Sequence, residues 1–159
     1  MVLMLIAVYA TIELRGFFPK GSDLRKAMMM WHFMLGLSVL AFAILRLVVR
    51  LKTTRPSIVP TPAQWQEIVG KIMHITLYIL MIAMPIAGWL ILSGEARVIP
   101  FFGIELPPLM SKNKDLADLI EEVHVTAGTV GYYLIGFHAL AGLYHHYFLK
   151  DNTLNRMLP

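Results

Sequence analysis

The chain has 159 residues, a formal charge of +4 and a pI of about 9.5; 57% of the residues are hydrophobic, 15% are charged, and the mean hydropathy is +0.64. Soluble domains run at roughly 45–50% apolar and about 25% charged, so this composition excludes a disordered chain and argues for a single membrane-embedded domain. With no cysteine, disulfides, thiolate catalysis, iron–sulfur clusters, Cys-bound zinc and haem attached through Cys-x-x-Cys-His are all excluded.

The apolar residues fall into four runs. Met1 to about Leu14 is too short to span: 12 residues precede Glu13, or about 18 Å of helix. It has neither the basic start nor the small-residue cleavage site of a signal peptide. It reads as the outer half of a first spanning helix whose beginning lies before Met1. The second run, about 25–51, the third, about 65–92, and the fourth, about 119–149, each reach the roughly 20 residues that a bilayer needs. Between the first two lies a short link with Pro19 and Gly21. Pro56, Pro60 and Pro62 break the second link. The third, 93–118, is the longest and holds an apolar stretch, Val98 to Phe102, expected to dip into the membrane interface. Pro85 falls inside the third run, where a membrane helix tolerates a kink. The predicted fold is an all-α, integral membrane four-helix bundle, up-down-up-down, forming one domain over 1–159.

Charge does not orient it. Arg46, Arg50, Lys52, Arg55, Lys71, Lys150 and Arg156 lie on one side, and Arg15, Lys20, Arg25, Lys26, Arg97, Lys112 and Lys114 on the other. The basic balance reads as loops facing lipid headgroups or attracting an anion, rather than as nucleic-acid binding.

The six histidines carry the chemistry. Ionisable groups inside a membrane are costly and mark function by default. His124 and His138 are 14 apart on one helix, about 40° short of four whole turns, so they share a face about 21 Å apart. His145 follows seven later on that face, and neighbouring His146 reads as part of a polar helix end. His32 lies about as deep in the second run as His124 does in the fourth, and both runs enter from the same side. Two imidazoles facing each other across a bundle form the ligand set of a bis-histidine b-type haem. His138 then implies a second haem one layer deeper. Its partner is either His74, at matching depth on the third run, or a residue of the first helix before Met1. Arg46, 14 residues after His32, either holds a propionate of that second haem or snorkels to the headgroups. Gly36, Gly128, Gly131 and Gly136 are small residues that would let a flat macrocycle approach the helices, or pack helix on helix. Zinc cannot bridge His124 and His138 over such a distance.

These residues resemble the bacterial di-haem cytochrome b561 family, in particular its superoxide oxidase type. The matching stretches are E-L-R-G-F-F-P-K at 13–20, W-H at 31–32, H-x3-L-Y-x6-P-I-x-G at 74–88, and the run from Gly131 through H-H-Y-F-L-K-D-N-T-L to Pro159. The resemblance implies two b haems in the inner (cytoplasmic) membrane, with both termini cytoplasmic. His32 and His124 would ligate the periplasm-side haem and His138 the cytoplasm-side one, whose other ligand in the family is a histidine near the start of helix one. It also implies a superoxide:ubiquinone oxidoreductase, with no protein partner specified. In that reading Arg15, Lys20, Arg25 and Lys26 form a basic funnel for superoxide, with Lys112 and Lys114 on its rim. His145 is the first choice for the ubiquinone headgroup, ahead of Lys150. The alternatives are a quinol-oxidising cytochrome b subunit serving a partner enzyme, and a non-haem membrane transporter using its histidines for zinc or protons.

Overall fold

The computed structural model describes residues 1–54 and 58–155. Arg55, Pro56 and Arg156, used in the reading above, lie outside the described residues. Four helices follow in chain order: α1 (Val2–Leu14), α2 (Asp23–Lys52), α3 (Gln64–Gly94) and α4 (Lys114–Tyr147). A 3₁₀ turn, Arg15–Phe17, bends the chain out of α1.

Local chemistry sets the ends. Ser22 Oγ accepts from the Arg25 amide at 3.3 Å, and Asn113 Oδ1 from the Leu116 amide at 3.1 Å. Asp23 and Asp115 follow in the first turns, where a carboxylate meets the positive helix end. The Asn113 cap starts α4 at Lys114, five residues before the apolar run predicts. Inside the helices, hydroxyls are satisfied by the preceding turn: Ser38 Oγ donates to Met34 O, Ser93 Oγ to Trp89 O and Thr129 Oγ1 to Val125 O, at 2.8–3.0 Å. A polar side chain can then sit in an apolar helix without an unpaired donor. Helix α3 runs unbroken through Pro85.

Each helix packs on the next, and Tyr9 closes the bundle. Its hydroxyl donates to Gly128 O at 2.9 Å and its ring lies 4.2 Å from that of Tyr132. A Cβ at Gly131 would stand 2.5 Å from the Tyr9 hydroxyl. Gly131 therefore serves the close approach of α1 to α4; of the two uses open to it in the sequence, helix packing is the one realised. Large apolar side chains such as Leu45, Ile75, Ile79 and Phe137 are exposed on the outer faces, as lipid contact requires.

Two expectations need correcting. Helix α4 is the longest, yet among the described residues only α2 and α3 combine the length and hydropathy of a membrane span, at 2.1 and 2.2. Four histidines, four glycines past Val125 and an acidic first third dilute α4. Its place in a membrane bundle therefore rests on more than hydropathy. The stretch from Val98 to Phe102 forms part of a small hairpin, β1 (Pro100–Phe101) antiparallel to β2 (Ile104–Glu105). Ile99 is only 2% exposed, packed against Leu37 and Leu92 with Phe33, Trp89 and Leu106 around them. This stretch plugs the end of the bundle between α2 and α3, because burying Ile99 there gains more than leaving it at an interface. Val98 and Phe102 do stay exposed.

The α3–α4 junction is the tightest point. A Cβ at Gly94 would lie 2.6 Å from Met110 Cε, 2.9 Å from Ala117 Cβ and 2.9 Å from Asn113 O. The Gly94 carbonyl also accepts from the Asn113 amide at 3.0 Å. Gly94→Ala is expected to destabilise the fold by about 1–3 kcal/mol, read as a lower thermal midpoint. Gly70→Ala, on α3 where a Cβ meets nothing within 4 Å, is the control that should not lower it.

Candidate haem-ligand and anion site

At the loop-1 end of the bundle, His32 from α2 faces His124 from α4, with ring centroids 6.4 Å apart and planes at 76°. His32 Nδ1 lies 3.1 Å from Val8 O. With the Nδ1 proton donated to that carbonyl, Nε2 carries the lone pair and is the atom open to a metal. His124 Nδ1 is buried without a well-formed hydrogen bond, beside the Met84 backbone. Gly88 stands next to the His124 ring, where even a Cβ would be 3.7 Å from Cε1. The matching depth expected of His32 and His124 brings their rings together edge to face.

Deeper in the bundle, His138 meets His74, with centroids 5.3 Å apart and planes at 74°. Of the two sources open for a partner to His138, His74 is the one among the described residues that comes close. Arg46 is exposed, yet its charge is felt at His138.

A cleft of about 650 Å³ lies beside His32, whose ring meets that of the lining residue Phe33 at 6.1 Å. Arg15, Arg25, Lys26 and Arg97 line it, together with Met29 and Phe33. Lys26 is paired with Asp23 at 3.2 Å and Arg97 with Glu95 at 3.1 Å. Arg15 and Arg25 make no ion pair among the described residues. Arg25 Nη1 donates to the carbonyls of Arg15 and Phe18, and Arg15 Nη1 lies 3.5 Å from Met29 Sδ. These partners are neutral, so both guanidinium charges remain uncancelled, and that of Arg15 reaches His32. Lys20 does not line the cleft. Lys112 is exposed outside it, and Lys114 is held by Asp118, whose hydrogen bond keeps the ammonium above its ordinary pKa. Arg97 is a cleft residue that sequence reasoning left as an ordinary loop charge. Only the folding back of the hairpin brings it there.

At the opposite end, the chain after α4 doubles back. Lys150 takes the left-handed backbone that permits this, with φ 54°. Asp151, 5% exposed, accepts from His145 Nδ1 at 2.6 Å and from the Thr153 amide at 2.9 Å. Burial alone would push the Asp151 carboxyl up, but the hydrogen bonds from Thr153 and His145 outweigh it and hold it below the ordinary carboxylate value. The clip therefore adds stability above the unfolded carboxyl's pKa and loses it as pH falls through the lower folded value. Asn152 fastens the turn to the α2–α3 link: its amide donates to Val59 O at 3.2 Å, and its Oδ1 accepts from the Val59 amide at 3.0 Å. His146 packs edge-on against Tyr147, with its Nδ1 buried and unpaired.

A family model described as prokaryotic cytochrome b561 matches residues 1–159. The chain belongs to the prokaryotic cytochrome b561 family. It is 40% identical to cytochrome b561 homolog 1 of Escherichia coli (strain K12) over 158 residues, 99% of this chain and 90% of that protein. It is 39% identical to the probable superoxide oxidase CybB of Yersinia pestis over 157 residues, covering 99% and 88%. Cytochrome b561 homolog 2 of Escherichia coli is 26% identical over 144 residues, covering 90% and 73%. A cytochrome b561 is a four-helix membrane bundle, which makes α1 and α4 membrane helices although α1 is only 13 residues long and α4 is diluted by polar residues.

Membership implies haem b, and the outer pair fits it. His32 and His124, from different helices with ring centroids 6.4 Å apart, would hold the group between them. A Cβ at Gly36 would meet no atom within 4 Å, which leaves room for a flat group one turn below His32. His74 and His138 stand closer, with ring centroids 5.3 Å apart. His138 would hold a group in the deeper layer.

Proposed function

We propose that this cytochrome b561, acting as one domain over 1–159, is a superoxide:ubiquinone oxidoreductase of the bacterial inner membrane. The observation that carries the reading is that His32, which meets His124, also touches Phe33 in the lining of a cleft where Arg15 and Arg25 keep uncancelled charge. The relative named a probable superoxide oxidase supports it. Superoxide is a small anion, and a concave site of one sign raises its local concentration and encounter rate. Arg15 and Arg25 draw it in, and Met29 and Phe33 give the cleft a low-dielectric surface. Haem b, bound by His32 and His124 and by His138 deeper in, supplies the one-electron redox chemistry. Arg46 offsets the charge of a propionate near His138. At the far end, facing the cytoplasm, His145 contacts the ubiquinone headgroup.

The test is purified protein given a superoxide source and a soluble ubiquinone. The expected results are reduction of a b-type spectrum and formation of ubiquinol. His145→Ala is expected to keep the rate of haem reduction and slow ubiquinol formation by tenfold or more, within the ~10²–10⁴-fold range of general acid–base groups. No ubiquinol above the protein-free rate would overturn the reading.

A further inference from the structure

Reducing a quinone takes protons as well as electrons. Two superoxide ions each lose one electron and become O₂. Ubiquinone takes up those two electrons and two protons to become ubiquinol. Superoxide brings no proton, so both must come from water through groups beside the quinone.

We infer that the buried Asp151 and His145 form a proton relay for this step, with His145 the donor and Asp151 its positioning residue. The inference rests on the function proposed above, and four observations carry it. The Asp151 carboxylate lies 2.6 Å from His145 Nδ1, which fixes the ring and leaves Nε2 as the atom that gives up and regains a proton. The Asp151 side chain is 3% exposed and that of His145 21%, so the imidazole is the open end of the pair. The pair has its own support: the Thr153 amide on the second carboxylate oxygen, and the two-point fastening of Asn152 to Val59. Finally, His145 lies two turns beyond His138 on one face, about 10 Å further along α4.

The step balances simply. The Nε2–H bond of the imidazolium breaks as an O–H bond forms on the quinone oxygen. The neutral imidazole is then reprotonated from the aqueous phase, and a second cycle supplies the second proton. Asp151 stays ionised throughout and stabilises the imidazolium. The groups acting on Asp151 are His145 and Thr153. Tyr144 meets His145 edge-on at 6.4 Å, and His146, Tyr147 and Lys150 are the remaining titratable neighbours along the chain.

A bare structural clip would use the same contacts, so the deciding variant is Asp151→Asn. It keeps one oxygen for the Thr153 amide, turns an Nδ2 amide donor toward His145 in place of the second oxygen, and removes the charge. With a relay, Asp151→Asn forms ubiquinol about tenfold or more slowly, with KM for ubiquinone within about twofold, haem content unchanged and thermal midpoint close to wild type. Its quinone reduction depends on pH differently from wild type, since the carboxylate charge beside the imidazole is gone. Asp151→Glu recovers part of the rate. A second readout needs no turnover: infrared difference spectra of quinone reduction carry an imidazole protonation signal in wild type that His145→Gln abolishes. If wild type forms ubiquinol while Asp151→Asn matches it in rate and pH profile, the relay is overturned and the pair is only a clip. If wild type forms no ubiquinol, it is the proposed function that fails.

Discussion

Alanine at either His32 or His124 is expected to abolish the same haem. The two rings meet at 6.4 Å from different helices, and a bis-histidine iron loses its low-spin state when either ligand goes. Each variant should therefore lose the same component of the reduced spectrum and the same share of haem per protein, and the double variant should lose no more than either single one. His74→Ala is the comparison: its ring lies against His138 in the other layer, so the component governed by His32 and His124 should be intact. Loss of different components in His32→Ala and His124→Ala would refute the pairing. Thermal unfolding would accompany the measurement, because an unpaired imidazole left beside the bundle core is itself destabilising.

The second large effect concerns the cleft. Arg15→Gln with Arg25→Gln is expected to slow superoxide consumption by about tenfold, the lower end of what electrostatic focusing gives. It should also flatten the dependence on ionic strength, since the Debye length is only about 8 Å at physiological salt. Haem spectra and quinone KM should not change. Arg25 also holds the carbonyls of Arg15 and Phe18, so Arg25→Lys, which retains charge but not that fork, separates field from geometry. Lys20→Gln should have little effect, because Lys20 lies outside the cleft lining. Arg97→Gln should have an effect smaller than Arg15→Gln, because Glu95 already offsets its charge. Wild-type salt dependence in the double variant would rule out the funnel.

Much of this was legible in the sequence, for a physical reason. A bilayer asks for apolar runs of fixed length, and helical periodicity fixes which residues share a face. The four helices, the shared face of His124, His138 and His145, and the common depth of His32 and His124 follow from counting along the chain. What counting cannot do is decide between residues from different elements that reach the same depth. His74 was one of two partners open to His138, and only packing of α3 on α4 brought their rings together, at a separation that no periodicity encodes. The funnel shows the same limit. Lys20 and Arg97 are equivalent as loop charges in the sequence; the tertiary fold turned the hairpin back over α2 and put Arg97 into the cleft with Lys20 outside. Burial of Ile99 drives that turn, and its partners Leu37 and Leu92 are 62 and seven residues away. The K-D-N-T-L stretch carried a family resemblance without a mechanism. A left-handed Lys150 and a chain reversal were needed to set Asp151 on His145, because a carboxylate six residues past a histidine meets it only when the helix ends between them.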